Sequence, residues 1–250
     1  MGNLTLVSLA DSAYLGMLTN LIRSAVVYLP QADWNVTLVN LQEQDGDSLK
    51  ALCPNLSYRL EQVPFENDMQ KSTYCTNRRS WFLNEIRKSN PDPLCWIDAD
   101  CLMRRPCQGL IDLAQEVDLS CRSRSNVIYG QKTRTGTPQG FMAGLILVGS
   151  SKAATGFLDA YDQAVDPLAW KEIKPIGKRL KDHRPNLGLW MLNQSKLWTV
   201  FERMNRRKEL TFKALPETYL DVALEDDTAI WAGVLESKYS ERFTQESGKV

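Results

Sequence analysis

The 250-residue chain has a single histidine, His183, and no C-x-x-C pair among its six cysteines (Cys53, Cys75, Cys95, Cys101, Cys107, Cys121). The ligand spacings of a structural zinc site are therefore missing. The cysteines read as free, buried thiols in a reducing compartment, the cytoplasm. Charge of neither sign prevails: Lys+Arg and Asp+Glu are both 30, so the formal net charge is zero. The overall basic footprint of a nucleic-acid binder is absent. No apolar run approaches the length that crosses a bilayer. The opening Met1–Val7 has no basic segment followed by a long apolar core, and it reads as a first strand, not a signal peptide. Leu6 stands where an N-myristoylation motif requires Ser or Thr. Internal repeats and low-complexity linkers are also missing, so one domain over residues 1–250 is expected.

What is present is an alternation of short apolar runs and helical periods. Residues 3–9 read as a strand, and Asp11-Ser12 offers N-cap chemistry for a helix burying Tyr14, Leu18, Leu21, Ile22, Ala25 and Val26. Further strands are expected at 35–41 and 59–63. A helix follows over 74–88 with Trp81, Phe82 and Ile86 inward, then the turn signal Asn90-Pro91-Asp92-Pro93. Beyond it come a helix to Glu116, strands at 117–121 and 141–148, and a helix over 151–165. Residues 122–139 read as a loop or irregular hairpin. A helix near 187–194, strands near 197–201 and 211–215, and a frayed end complete the expectation. Strands alternating with helices predict an α/β fold whose mixed, mostly parallel sheet is covered on both faces.

The most informative run is Leu94-Cys95-Trp96-Ile97-Asp98-Ala99-Asp100. A buried strand would deliver two carboxylates, one residue apart, to a sheet edge where such folds bind ligands. At ~4–5 Å and an effective dielectric of about 20, two such charges repel by roughly 3–4 kcal/mol unless a cation offsets them. Hard oxygen donors this close suit Mg²⁺ or Mn²⁺ that also carries substrate phosphate oxygens. The bland alternative is a solvated turn or a helix cap.

Four blocks together resemble nucleotide-diphospho-sugar glycosyltransferases of the GT-A fold, nearest the family 8 or glycogenin-like group. They are Leu9-Ala10-Asp11-Ser12-Ala13-Tyr14 with Ser24; Trp96 to Asp100 with Pro106 downstream; Gln139 to Val148 around Gly144; and Ile230-Trp231-Ala232-Gly233-Val234-Leu235-Glu236-Ser237-Lys238. The resemblance implies a single GT-A domain, with 1–121 holding nucleotide and metal and 122–250 holding sugar and acceptor. It implies a UDP-sugar donor, Mn²⁺ or Mg²⁺ on Asp98 and Asp100, and an unidentified glycan, protein or lipid acceptor. Leu9, Ala10, Asp11, Tyr14, Arg78, Asp98, Ala99, Asp100, Gly144 and Lys238 would line the nucleotide-sugar site.

Each assignment has a structural counterpart. Asp11 and Tyr14 either cap and pack a helix or meet base and ribose. Arg78 and Arg79 either form a solvated helix face or neutralise phosphate. Gly144 either permits close packing or lets a sugar approach the backbone. Lys238 is either a surface lysine or a point charge for diphosphate. His183 reads as exposed, and Trp190 as core or a sugar platform. Asp182, Glu217 and Asp221 are the candidate bases that inverting transfer would need.

The chain also departs from the family pattern. Met142 replaces the usual Asn of the third block, and Ala232 the metal-ligating His of the fourth. These losses keep open a non-catalytic sugar-nucleotide or glycan binder. A nucleotidyltransferase is disfavoured, because Ser8-Leu9-Ala10-Asp11 offers neither Gly nor Lys for a phosphate loop.

Overall fold

A computed structural model describes residues 3–123, 140–172, 192–221, 225–232 and 245–248. Its strands are β1 (Thr5–Ala10), β2 (Asp33–Val39), β3 (Leu56–Glu61), β4 (Leu94–Ile97), β5 (Cys101–Met103), β6 (Leu119–Ser123), β7 (Phe141–Val148), β8 (Tyr219–Asp221) and β9 (Ile230–Ala232). Its helices are α1 (Leu15–Tyr28), α2 (Glu43–Leu52), α3 (Asp68–Asn77), α4 (Arg79–Ser89), α5 (Gln108–Glu116), α6 (Lys152–Ala164) and α7 (Leu192–Arg206), with a 3₁₀ turn at Ala169–Glu172.

Six strands form the main sheet in the order β3-β2-β1-β4-β7-β6. The first four are parallel, and β7 runs antiparallel to both β4 and β6. The sheet is therefore mixed and mostly parallel, as the α/β alternation predicts. A smaller sheet has the order β5-β9-β8.

The period-2 alternation of side chains divides each central strand between two cores. Cys95 and Ile97 join Leu6, Val36 and Leu38 under α1 and α5. Leu94 and Trp96 join Val7, Ile146 and Val148 under α4, α6 and α7. Because both faces are covered, these strands read as unbroken apolar runs. Burial also raises the pKa of all six free thiols, that of Cys107 up to about 12.

Several expectations need correction. Val26 is 40% exposed, because the inward stripe of α1 ends one residue earlier, at Ala25. Asp11 caps the turn before α1, whose own N-cap is Tyr14. The expected helix over 74–88 is two helices broken at Arg78, which ends α3 and starts α4.

Residues 197–201 are not a strand. They lie inside α7, where Leu197, Trp198, Phe201 and Met204 keep a helical period and are buried. Residues 211–215 belong to no named strand; Phe212 makes an isolated parallel bridge to Leu119, along the outer edge of β6. The sequence reading missed β5, β8 and β9, all three residues long and too short to show a period. The end is not wholly frayed either, since Glu246 pairs with Arg104 at 2.9 Å.

Candidate nucleotide-sugar site

β1 leads outward to β2 and β3, whereas β4 lies on its other side. The connection thus reverses direction between β1 and β4, and in open α/β sheets ligands bind beyond the strand C-terminal ends at such a reversal. Ser8 Oγ donates to the Ile97 carbonyl at 2.7 Å and ties the two strand ends together. Leu9 and Ala10 finish β1 and are buried. Asp11 and the Asp98-Ala99-Asp100 turn therefore emerge directly after these two neighbouring strand ends.

Asp11 is 6% exposed. Its Oδ1 accepts the backbone N–H groups of Ala13 at 2.9 Å and Tyr14 at 3.2 Å. Its Oδ2 stands 3.2 Å from Lys71 Nζ, delivered by α3. Burial works against the Lys71 charge, but the Asp11 carboxylate outweighs it and holds the ammonium above its ordinary value. Tyr14 packs half-buried on the core beneath α1.

The carboxylate turn closes with Cys101 N–H donating to the Asp98 carbonyl at 3.0 Å. Asp98 N–H donates to the Gly144 carbonyl at 2.9 Å. A β-carbon at Gly144 would lie 3.2 Å from both Asp98 Oδ2 and Leu220 Cδ1. Ala99 is buried in the core and Asp100 half-buried. One arginine reaches Asp98: Arg79 Nη2 is 3.4 Å from Oδ1. Arg78 does not serve this turn; its guanidinium lies 3.9 Å from the Trp81 ring centroid, on a ring that Arg59 also approaches at 4.7 Å.

The second sheet brings the described start of the fourth sequence block, Ile230–Ala232, to the same place. Ala232 on β9 pairs with Cys101 on β5, one residue past Asp100. Met142 is half-buried and faces Arg122 across the β6–β7 ladder. Of the candidate bases, Asp221 is committed elsewhere: it accepts from Thr228 Oγ1 at 2.5 Å and lies 3.9 Å from Arg122. Glu217 is exposed. Asp182, His183, Trp190 and Lys238 lie outside the described residues.

Sequence reasoning missed Lys71, whose only signal was its place on a helix facing the first strand's end. It also missed the choice of Arg79 over Arg78, which the unseen break between α3 and α4 decides. Among the described residues, no group of three or more His, Cys, Asp or Glu side chains is placed to hold a metal. The donor set on offer is Asp98 and Asp100. Two hard carboxylates fit a small divalent cation that takes its other ligands from water and phosphate.

No protein-family model and no curated protein sequence matches this chain. Solved structures do match. The glycosyltransferase GlyE of Streptococcus pneumoniae TIGR4 aligns at a TM-score of 0.61 and 14% identity, over 99% of this chain and 60% of GlyE. The galactosyltransferase LgtC, in complex with donor and acceptor sugar analogues, aligns at 0.59 and 14%, over 98% and 96% of the two chains. The bifunctional glycosyltransferase WbbM aligns at 0.58 and 12%, and this chain spans 49% of it. At such identities the likeness is one of architecture: the chain has the GT-A glycosyltransferase fold.

Proposed function

We propose that the protein is a glycosyltransferase that moves a sugar from a nucleotide-diphosphate donor, a UDP-sugar, to a glycan, protein or lipid acceptor. Within the fold class, the four sequence blocks favour the family 8 or glycogenin-like group. The observation that carries this reading is the position of Asp98-Ala99-Asp100 at the C-terminal end of β4, beside the reversal of strand order.

In this reading the end of β1 receives the nucleoside. Asp11, fixed by two backbone N–H groups and Lys71, presents a preset acceptor to ribose or base, and Tyr14 offers its ring. Asp98 and Asp100 would hold Mn²⁺ or Mg²⁺, which supplies Lewis-acid stabilisation of charge on the departing diphosphate. Gly144 keeps open the space against Asp98 Oδ2 that a sugar would enter. Acceptor recognition falls to the part of the chain after about residue 170.

The test is calorimetric titration with UDP and with GDP, with and without Mn²⁺, on wild type and Asp100→Ala. Mn²⁺-dependent binding of UDP that Asp100→Ala abolishes is the expected result. Absence of nucleotide binding under every condition would overturn the reading. Mn²⁺-dependent hydrolysis of a UDP-sugar then separates a transferase from a protein that only binds the donor.

A further inference from the structure

Among the described residues, the Asp98 carboxylate is held through one oxygen only. Trp96 lies two residues earlier in the chain, on the same face, and donates its indole Nε1–H to Asp98 Oδ1 at 2.7 Å. Arg79 Nη2 approaches the same oxygen at 3.4 Å. The rest of that guanidinium is occupied by fixed backbone acceptors: Nε–H donates to the Thr76 carbonyl at 3.1 Å, and Nη1–H to the Ala143 carbonyl. Arg79 is 6% exposed and Trp96 2%. The guanidinium carbon also lies 5.4 Å from the Trp96 ring centroid. Neither donor can follow the carboxylate if it turns. Oδ2 is left facing Gly144, the one neighbour on β7 with no side chain to cover it.

We propose that Trp96, braced by Arg79, is a positioning residue that leaves Asp98 a single oxygen, Oδ2, for the cation of a nucleotide–diphosphate complex, so that the site selects small octahedral divalent ions over Ca²⁺. The inference rests on the donor-site reading above. Mg²⁺ demands near-octahedral coordination at short distances, whereas Ca²⁺ takes six to eight oxygens and readily uses carboxylates bidentately. A carboxylate whose Oδ1 is pinned cannot chelate through both oxygens without giving up the charge-assisted Trp96 hydrogen bond and the Arg79 ion pair. Outer donors of this kind ordinarily change metal affinity by about 10–100-fold.

Trp96→Phe removes the N–H and leaves an aromatic ring in the core. UDP is titrated into wild type and variant with Mg²⁺, Mn²⁺, Ca²⁺ or no metal. In the wild type, UDP should bind at least about tenfold tighter with Mg²⁺ or Mn²⁺ than with Ca²⁺. In Trp96→Phe that gap should shrink toward parity, with metal-free UDP affinity unchanged. An unchanged gap overturns the inference and leaves the donor site standing. No metal-dependent UDP binding by the wild type removes both.

If Trp96→Phe does not fold, the wild type answers alone. Of its seven tryptophans, one should show an indole N–H resonance protected from solvent exchange and displaced by Mg²⁺–UDP. Asp98→Asn should displace the same signal. A spectrum in which no indole signal responds overturns the inference.

Discussion

Two aspartates on neighbouring parts of one sheet show how differently this protein uses a carboxylate. Asp118, just before β6, has both oxygens engaged inside the chain. Ser151 Oγ donates to Oδ1, while Thr211 N–H at 2.6 Å and Thr211 Oγ1 at 2.8 Å donate to Oδ2. Asp118 thereby joins the start of α6, the start of β6 and the segment at 211 that runs beside it. Asp98 is lopsided, with donors on Oδ1 and, among the described residues, none on Oδ2, which faces Gly144. Asp118 is a clasp, whereas Asp98, in the proposed reading, is half of an unfinished ligand set. Between these two, the second oxygen has a partner from the chain at Asp118 and none among the described residues at Asp98.

Substitution should separate the two sites, and the largest effect is expected at the clasp. Asp118→Ala orphans the donors of Ser151 and Thr211 and should cost about 3 kcal/mol of stability by denaturant unfolding. Its nucleotide affinity, measured on folded protein, should not move. A second stability break contrasts two glycines. A β-carbon at Gly149 would stand 2.1 Å from the Val117 carbonyl oxygen, an immovable backbone atom, so Gly149→Ala should cost about 2 kcal/mol. At Gly144 the nearest atoms are Asp98 Oδ2 and the end of the Leu220 side chain, both at 3.2 Å, and a shift of a few tenths of an ångström, led by the leucine, relieves the contact. Gly144→Ala should therefore change stability by less than about 1 kcal/mol while weakening donor binding several-fold.

Acid sharpens the same comparison. Burial raises the Asp118 pKa, but hydrogen bonds from Ser151 and Thr211 more than compensate and leave it lowered. A carboxyl depressed in the folded state contributes stability that is fully present above its unfolded value, about 3.9. That contribution disappears as pH falls through the lower folded value. The acid limb of a stability–pH profile should accordingly flatten in Asp118→Asn. The smallest effect is expected at Lys71→Met, which frees Asp11 Oδ2 but leaves its two backbone bonds. It should lower UDP affinity by about threefold, equivalent to roughly 0.7 kcal/mol, with little change in thermal midpoint.

Two long elements were legible because period and length agree, whereas α2 drew no expectation and α7 was misread. β7 and α6 lie within a residue or so of their expected bounds, and the apolar run before Asp98 is β4. The Leu197–Phe201 run misled because five apolar-rich residues fit a strand as well as a helix, and only the packing of α7 decides between them. Within the candidate site, the acids showed in the sequence as a spacing. Their asymmetry was not, since it depends on an indole N–H from inside the core and on which of two adjacent arginines turns inward. Arg78 and Arg79 look alike in sequence. A helix break between them sends one to the Trp81 ring and the other to Asp98.

The pairing of β5 with β9 has a consequence in time. Residues 101–103, directly after the carboxylate turn, form their ladder with residues 230–232, and Arg104 next to them grips Glu246. The ribosome delivers the turn long before its partners, because strands so distant in sequence can pair only once the later one exists. The first four parallel strands can assemble early, but the turn stays unsupported on that side until β9 arrives. Readiness to bind a donor should then appear as a late event, well after the parallel core has formed.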